Sequence, residues 1–280
     1  MDASASISAA LRDLLPADDA DEAAHGPAFA RAAALLLGGA TLWIAGAAHR
    51  IAEIELYWTS DAHPDPFTHG DPMQREFGRW YFHRQGTSYK GGSFKGLDLA
   101  VGSPRVAAGI LLRAIVDVER GALVEGSCSV VDHILARTGS ASVAALAGAF
   151  DLAIDRPPDG ASPLALSRAP AAGAPVEIYA SARVGLTLKK GADPLRRRFL
   201  ARPYRFLNEP RRISKGRPYL IVGLHRSGRS PAEIAAITGI SGSTITRTIE
   251  GYEAGRGRDP EGYRKELNAR ELCELLGALA

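Results

Sequence analysis

Apolar and polar positions alternate along residues 50–58, the signature of a strand. With a period of two, Ile54, Leu56 and Trp58 point to one face while Glu53, Glu55 and Tyr57 point to the other. Two carboxylates and an aromatic ring therefore share one surface. Upstream, residues 6–15 read as a short helix ended by Pro16, and 28–37 as a helix ended by Gly38 and Gly39. Residues 40–45 then start the strand system, in which His49 reads as an ordinary surface residue. Residues 109–118 form an apolar strand interrupted by Arg113. A helix opened by Gly139 and Ser140 runs to about residue 152, a loop rich in Pro, Ala and Gly covers 157–175, and a strand follows over 176–180. Near the end, Ser230 and Pro231 start a helix with Ile234 and Ile237 facing inward. Gly239 turns the chain, and Ser241 caps a second helix bearing Ile245 and Ile249. This is helix-turn-helix spacing, with Ser243, Thr244, Thr246 and Arg247 left on the outer face.

At 280 residues the chain can bury a sizeable core. Cys128 and Cys273 lie far apart with no CxxC and no histidine partner, which argues against a disulfide framework or a zinc site and fits a reducing cytoplasm. No secretory pattern opens the sequence, and the apolar run 32–48 is too short and too glycine-rich for a bilayer, so no membrane is expected. Net charge is only +3, yet it is uneven. Residues 183–229 hold 14 Lys and Arg against 2 Asp and Glu, leaving 20 basic and 29 acidic residues elsewhere. Such a basic block suits a polyanion, because each neutralised phosphate releases counterions. Within it Arg196, Arg197 and Arg198 run consecutively.

Behind the Glu53–Glu55–Tyr57 strand comes a proline-stiffened loop, 61–70, with His63, His69, Asp61 and Asp65. Residues 73–83 and 86–99 interleave aromatics with Lys, Arg and glycine turns, as nucleic-acid surfaces do, although the same pattern suits a hairpin whose rings pack inward. Arg113, flanked by leucine and alanine, must have an anionic partner, because an unpaired buried guanidinium is prohibitively costly. Glu55 is the expected one, with Glu53 and Asp117 as the other candidates.

At this point the sequence resembles the alkyladenine (3-methyladenine) DNA glycosylase family. The resemblance rests on Glu53, Glu55, Tyr57 and His69, on residues 109–115 around Arg113, on Ser140 with its neighbours, and on Ser181-Ala182-Arg183-Val184-Gly185. It covers residues 28–212, leaving 1–27 as an acidic helical segment and 213–280 as a helical module that the family does not normally carry. It implies an α+β fold: a curved, mostly antiparallel sheet flanked by helices, here followed by the small C-terminal module. By the match Glu55 activates water, Arg113 orients it, and Tyr57, His69 and Val184 line the pocket of an extruded base. The family's pocket asparagine corresponds to Asp98, which only accepts hydrogen bonds. Its wedge and wall tyrosines fall in a shortened segment where Tyr89 or Phe94 substitute. The expected substrate is therefore an alkylated purine or a bulkier modified base, such as one in phage DNA.

The DNA contacts expected are Lys90, Lys95, Arg183, Arg196, Arg197, Arg198, Thr244 and Arg247. The expected protein is a cytoplasmic monomer acting on double-stranded DNA, with no metal and no cofactor. Two rivals stand beside it: a metal-dependent hydrolase using Asp61, His63, Asp65, His69 and His83, and a DNA-binding regulator on a glycosylase-like fold. The enzyme reading requires Glu55 to border a cavity wide enough for a nucleobase. A sealed carboxylate would leave polyanion binding alone.

Overall fold

The computed structural model describes residues 6–157, 161–169 and 176–280, so part of the 157–175 loop lies outside the described residues. The chain is α+β, with a large, mostly antiparallel sheet flanked by helices. It comprises two compact units, Met1–Pro64 with Thr68–Ile178, and Asp65–Phe67 with Tyr179–Ala280. The division differs from the one read in the sequence: position 27 falls inside a helix, and 212 falls inside the second unit.

In the first unit, α1 (Ile7–Leu14) starts where the Ser6 hydroxyl accepts from the Ala9 N–H. Next, α2 (Glu22–Gly39) starts earlier than expected and runs through both glycines. A glycine stops a helix when it turns left-handed, and neither Gly38 nor Gly39 has a positive φ. Burial of Leu36 and Leu37 instead holds that last turn in place. Then come β1 (Ala40–Ile44) and β2 (Ala47–Thr59), joined by Ala45 and Gly46 with φ of 48° and 76°, the geometry of a two-residue primed hairpin turn. β3 (Arg79–Phe82), β4 (Arg84–Gln85), β5 (Ser88–Tyr89), β6 (Leu97–Ala100), β7 (Ala107–Asp117) and β8 (Leu123–Glu125) follow. α3 (Ser127–Thr138), α4 (Val143–Gly148) and β9 (Leu164–Arg168) complete the unit.

The sheet of this unit runs β9-β1-β2-β7-β6-β3, with β8 also on β7, and every pairing is antiparallel. All of β7 is buried. Trp58, on the apolar face of β2, meets His25 and Phe29 of α2 edge-on or tilted, and His63 stacks on His25 at 4.1 Å. Residues 139–152 do not form the expected single helix. Gly139, at φ 66°, closes α3, and the Ser142 side chain caps the separate, short α4. His49 is fully buried rather than on the surface, since β2 lies between β1 and β7.

The second unit contains β10 (Tyr179–Ser181), α5 (Pro194–Leu200), β11 (Arg205–Leu207), α6 (Arg217–Arg226), α7 (Pro231–Thr238), α8 (Gly242–Gly255) and α9 (Ala269–Ala278). The extended segment expected over 176–180 is shortened to β10, which pairs with β11. Residues of α6, α8 and α9 share its apolar core, including Tyr219, Val222, Tyr252 and Leu275. A capping box of Ser230 and Glu233 starts α7, and left-handed Gly239 ends it. Among the described residues no helix is long and apolar enough to cross a membrane.

Candidate functional site

The site is built on the polar face of the first unit's sheet. Register places Glu55 opposite Leu111, Leu111 opposite Asp98, and Asp98 opposite Tyr81, so these four side chains form one row across four strands. One step along, Tyr57 faces Gly109. On the other side, a local irregularity around Glu53 leaves Glu53 beside Arg113. Two polar networks result, about 10 Å apart at the spacing of adjacent strands.

The first network joins Glu53, Arg113, Glu55 and Tyr57. Arg113 Nε donates to Glu53 Oε1 at 3.0 Å and lies 3.4 Å from Glu55 Oε1, while the Tyr57 hydroxyl donates to Glu55 Oε2 at 2.8 Å. Burial works against the charge on Arg113, but Glu55 and Glu53 more than reverse it and hold its pKa above the ordinary arginine range. Arg113 thus serves both expected carboxylates, with Glu53 holding the shorter hydrogen bond. Glu55 is 0 % exposed, which corrects the expectation of a carboxylate bordering an open cavity. Arg113 and the Tyr57 hydroxyl close over its two oxygens. Tyr57 itself is partly exposed.

The second network centres on Asp98, which is buried, taking His83 Nε2 at 2.7 Å and Gln74 Nε2 at 3.3 Å. Gly109 makes this possible: a Cβ there would lie 2.5 Å from Asp98 Oδ2. Asp98 is therefore held inside the protein rather than presented to a base. Sequence reading missed Gln74 and His83 as its partners; a buried aspartate beside a glycine in an apolar strand was the available signal. His69 sits above, its ring 4.4 Å from His83, with the Tyr81 hydroxyl and the Lys90 amine within 3.5 Å and 3.4 Å. Burial, then Asp71 and Asp98, keep the Tyr81 hydroxyl protonated. Desolvation, then His83, lower the His69 pKa to about 4.

A ring held neutral in this way contributes stability above its unfolded value near 6.5, and that contribution is lost as pH falls toward 4. The thermal midpoint of the protein is expected to drop across that window. The His69→Asn variant should show a shallower drop, and identical profiles for the two would contradict the assignment.

Beside this cluster, the β4–β5 hairpin and the segment after it carry Phe94, 75 % exposed. An open groove of about 590 Å³ lies between Tyr89, Lys90, Gly92 and Lys95 on one side and Leu135 and Ser142 on the other. Lys95 pairs with Asp132 of α3, and Tyr89 is partly buried against Phe82. Trp80, Tyr81 and Phe82 are fully buried, so for those rings the inward-packing alternative is the correct one.

In the second unit, Arg183 departs most from expectation. It is 0 % exposed and forms a two-pronged ion pair with Asp65, so it is no surface contact for DNA. Val184 packs partly buried against the core of the unit. Arg196 pairs with Asp193 and lies over the Phe67 ring, Arg197 reaches Asp259 and Glu261, and Arg198 lies over Phe199. Much of the triple arginine is thereby engaged within the unit. Thr244 and Arg247 are exposed on α8 with Ser243 and Thr246, as the spacing implied. The Ser241 hydroxyl bonds Thr244 Oγ1 at 2.9 Å instead of capping the helix backbone. The loop ligands of the metal-hydrolase alternative are engaged elsewhere: His63 Nδ1 bonds the Trp58 carbonyl, and Asp65 holds Arg183.

No protein family profile matches the chain. It is similar to a protein of Acanthamoeba polyphaga mimivirus described as "Uncharacterized protein L759", 34 % identical over 104 residues. That match covers 32 % of this chain and 48 % of the viral protein, so the chain spans about half the length of the relative it matches.

Proposed function

We propose that the protein is a monofunctional DNA glycosylase. The observation that carries the proposal is the Glu55 carboxylate held between the Arg113 guanidinium and the Tyr57 hydroxyl. In the reaction, water attacks C1′ of a deoxyribose whose base has been turned out of the duplex. The new O–C1′ bond forms as the N-glycosidic bond breaks, the base leaves with the bonding electrons, and Glu55 takes the proton from water. Its charge also favours the oxocarbenium-like transition state. Arg113, anchored by Glu53, orients the carboxylate.

The structure makes one demand on this reading. A Glu55 carboxylate sealed permanently would leave polyanion binding alone; the enzyme reading therefore requires that Tyr57, which is partly exposed and covers Glu55 Oε2, swing outward to admit water and base. Breaking one such hydrogen bond costs on the order of 1–3 kcal/mol, within the range that extruding a base already requires. The exposed Phe94 is suited to wedge the duplex, with Lys90 and the neighbouring groove along the backbone. The outer face of α8 supplies further DNA contact. With Asp98 committed to His83 and Gln74, substrate choice passes to groups such as the neutral His69, and the substrate is an alkylated purine or a bulkier modified base, including those of phage DNA. The protein would work as a cytoplasmic monomer, without a cofactor, in repair or in antiviral defence.

The burial of Glu55 favours a second reading, a non-catalytic DNA-binding protein on a glycosylase-like fold. Incubation with DNA carrying diverse modified bases, followed by mass spectrometry of released bases and cleavage at abasic sites, separates the two. Released base with matching abasic sites is the expected outcome; sequence-selective binding without either would support the second reading. Phe94→Ala should leave stability within about 0.5 kcal/mol, since the ring is exposed, while weakening duplex binding roughly tenfold in fluorescence anisotropy. Unchanged affinity would remove the wedge role.

A further inference from the structure

Away from Glu55, three side chains from three elements converge at one end of the first unit's sheet. His49 on β2 and Asp117 on β7 are direct cross-strand partners, and His133 of α3 completes the group. His49 Nε2 lies 3.0 Å from His133 Nε2 and 3.9 Å from Asp117 Oδ2, and one ligand atom from each residue lies within 4.8 Å of the others.

The hydrogen bonds around the cluster orient it inward. His49 Nδ1 donates to the Ala47 carbonyl at 3.0 Å, a tautomer that leaves the Nε2 lone pair pointing into the cluster. Asp117 Oδ1 accepts from the backbone N–H groups of Glu119 and Arg120 at 3.1 and 3.0 Å, which fixes the carboxylate. Its other oxygen, Oδ2, is buried, with a side-chain exposure of 2 %, and has no hydrogen-bond partner. A buried acceptor without a donor is costly, and native proteins seldom retain one without a reason. Arg137 reaches only to 4.0 Å of that oxygen, and its side chain is partly exposed. A histidine–histidine hydrogen bond would satisfy two of the nitrogens and leave Oδ2 as it is. A cation satisfies all three groups at once.

We propose that His49, Asp117 and His133 form a binding site for a divalent transition-metal ion, with zinc the best match to two imidazole nitrogens and one carboxylate oxygen. Ligands about 2.0–2.2 Å from a tetrahedral zinc lie roughly 3.3–3.6 Å apart, between the two separations found here. His133 is partly exposed and gives the ion its way in. Bound there, the ion ties α3 to the β2–β7 pair. Arg137, whose Nη1 lies 4.0 Å from Asp117 Oδ2, opposes the ion's charge and must move aside as the ion binds. The site does not depend on the glycosylase reading.

The test uses the full-length protein, stripped with a chelator, desalted and titrated with zinc sulfate by calorimetry, with the metal content measured after gel filtration. One zinc per chain and a higher thermal midpoint are expected. Asp117→Asn and His133→Ala should each weaken binding by about 100-fold or more, whereas His69→Asn and His83→Asn should bind as the parent does. His133 is partly exposed, so its alanine variant is expected to fold and decides the matter should Asp117→Asn not fold. The proposal is overturned if the stripped protein takes up no zinc. It is equally overturned if zinc stays with the His133→Ala protein and leaves with His69→Asn or His83→Asn.

Discussion

Glu55→Gln is expected to lower base excision by about a hundredfold to ten-thousandfold, the span that general-base catalysis commands, while duplex affinity stays within about twofold. Glutamine keeps the shape of the side chain, so its amide can present oxygen to Arg113 and nitrogen to the Tyr57 hydroxyl, in place of the contacts at 3.4 and 2.8 Å. Arg113 retains its 3.0 Å bond to Glu53, so no buried guanidinium is left unpaired. What the variant lacks is a group able to take a proton from water. Glu53→Gln is the informative control: it removes a charge from the same network and weakens the shorter bond to Arg113, yet leaves Glu55 ionisable. Its excision rate should fall less. Single-turnover release of base under saturating enzyme separates the two variants, with anisotropy on the same duplex reporting binding. Full activity in Glu55→Gln would end the assignment. Intact binding with no excision by the parent protein on any modified DNA would favour the non-catalytic reading.

The parts of the fold that were legible in the sequence were those governed by local pattern. Alternation over 50–58 identified the strand because the side-chain period of a strand is two, and Arg113 stood out because a charge inside an apolar run demands a partner. Gly239 was legible as a turn for the same local reason, and the outward residues of α8 followed from helical spacing. Gly139 shows where local pattern fails. Its sequence context matches a helix start, but its left-handed φ makes it the end of α3, a helix that starts at Gly126 without a side-chain cap and carries no start signal. Exposure was the less legible property. His49 lies on a strand paired along both edges, and Arg183 looked like a member of a basic surface block although its partner, Asp65, is 118 residues away in sequence. The burial of Glu55 belongs to the same class, because it depends on how Arg113 and Tyr57 settle over it. Spacing likewise gave no hint of His49, Asp117 and His133, which meet only through strand pairing and helix packing.

Asp65→Ala is expected to cost about 3–5 kcal/mol of stability. Both side chains of the Arg183–Asp65 pair have an exposure of 0 %, with Nη1–Oδ2 at 2.5 Å and Nη2–Oδ1 at 3.2 Å. Nη2 also donates to the Phe199 carbonyl, and the guanidinium lies 5.7 Å from the Phe67 ring and 5.5 Å from the Tyr204 ring. Those contacts satisfy part of the guanidinium but supply no negative charge, so deleting the carboxylate strands a cation in a medium that penalises it. Arg183→Met should cost a similar amount by stranding Asp65 instead. The double variant Asp65→Leu/Arg183→Met is the discriminating measurement. With both charges gone, no desolvation penalty is left unpaid, and stability in urea denaturation should return to within about 1–2 kcal/mol of the parent. Additive losses in the double variant would mean that the two residues act independently. Duplex binding by Arg183→Met, measured where the protein is still folded, should match the parent, because a side chain sealed around Asp65 has nothing left to offer a phosphate. A loss of affinity beyond what unfolding explains would return Arg183 to the DNA-binding surface and require the ion pair to open on contact with the duplex.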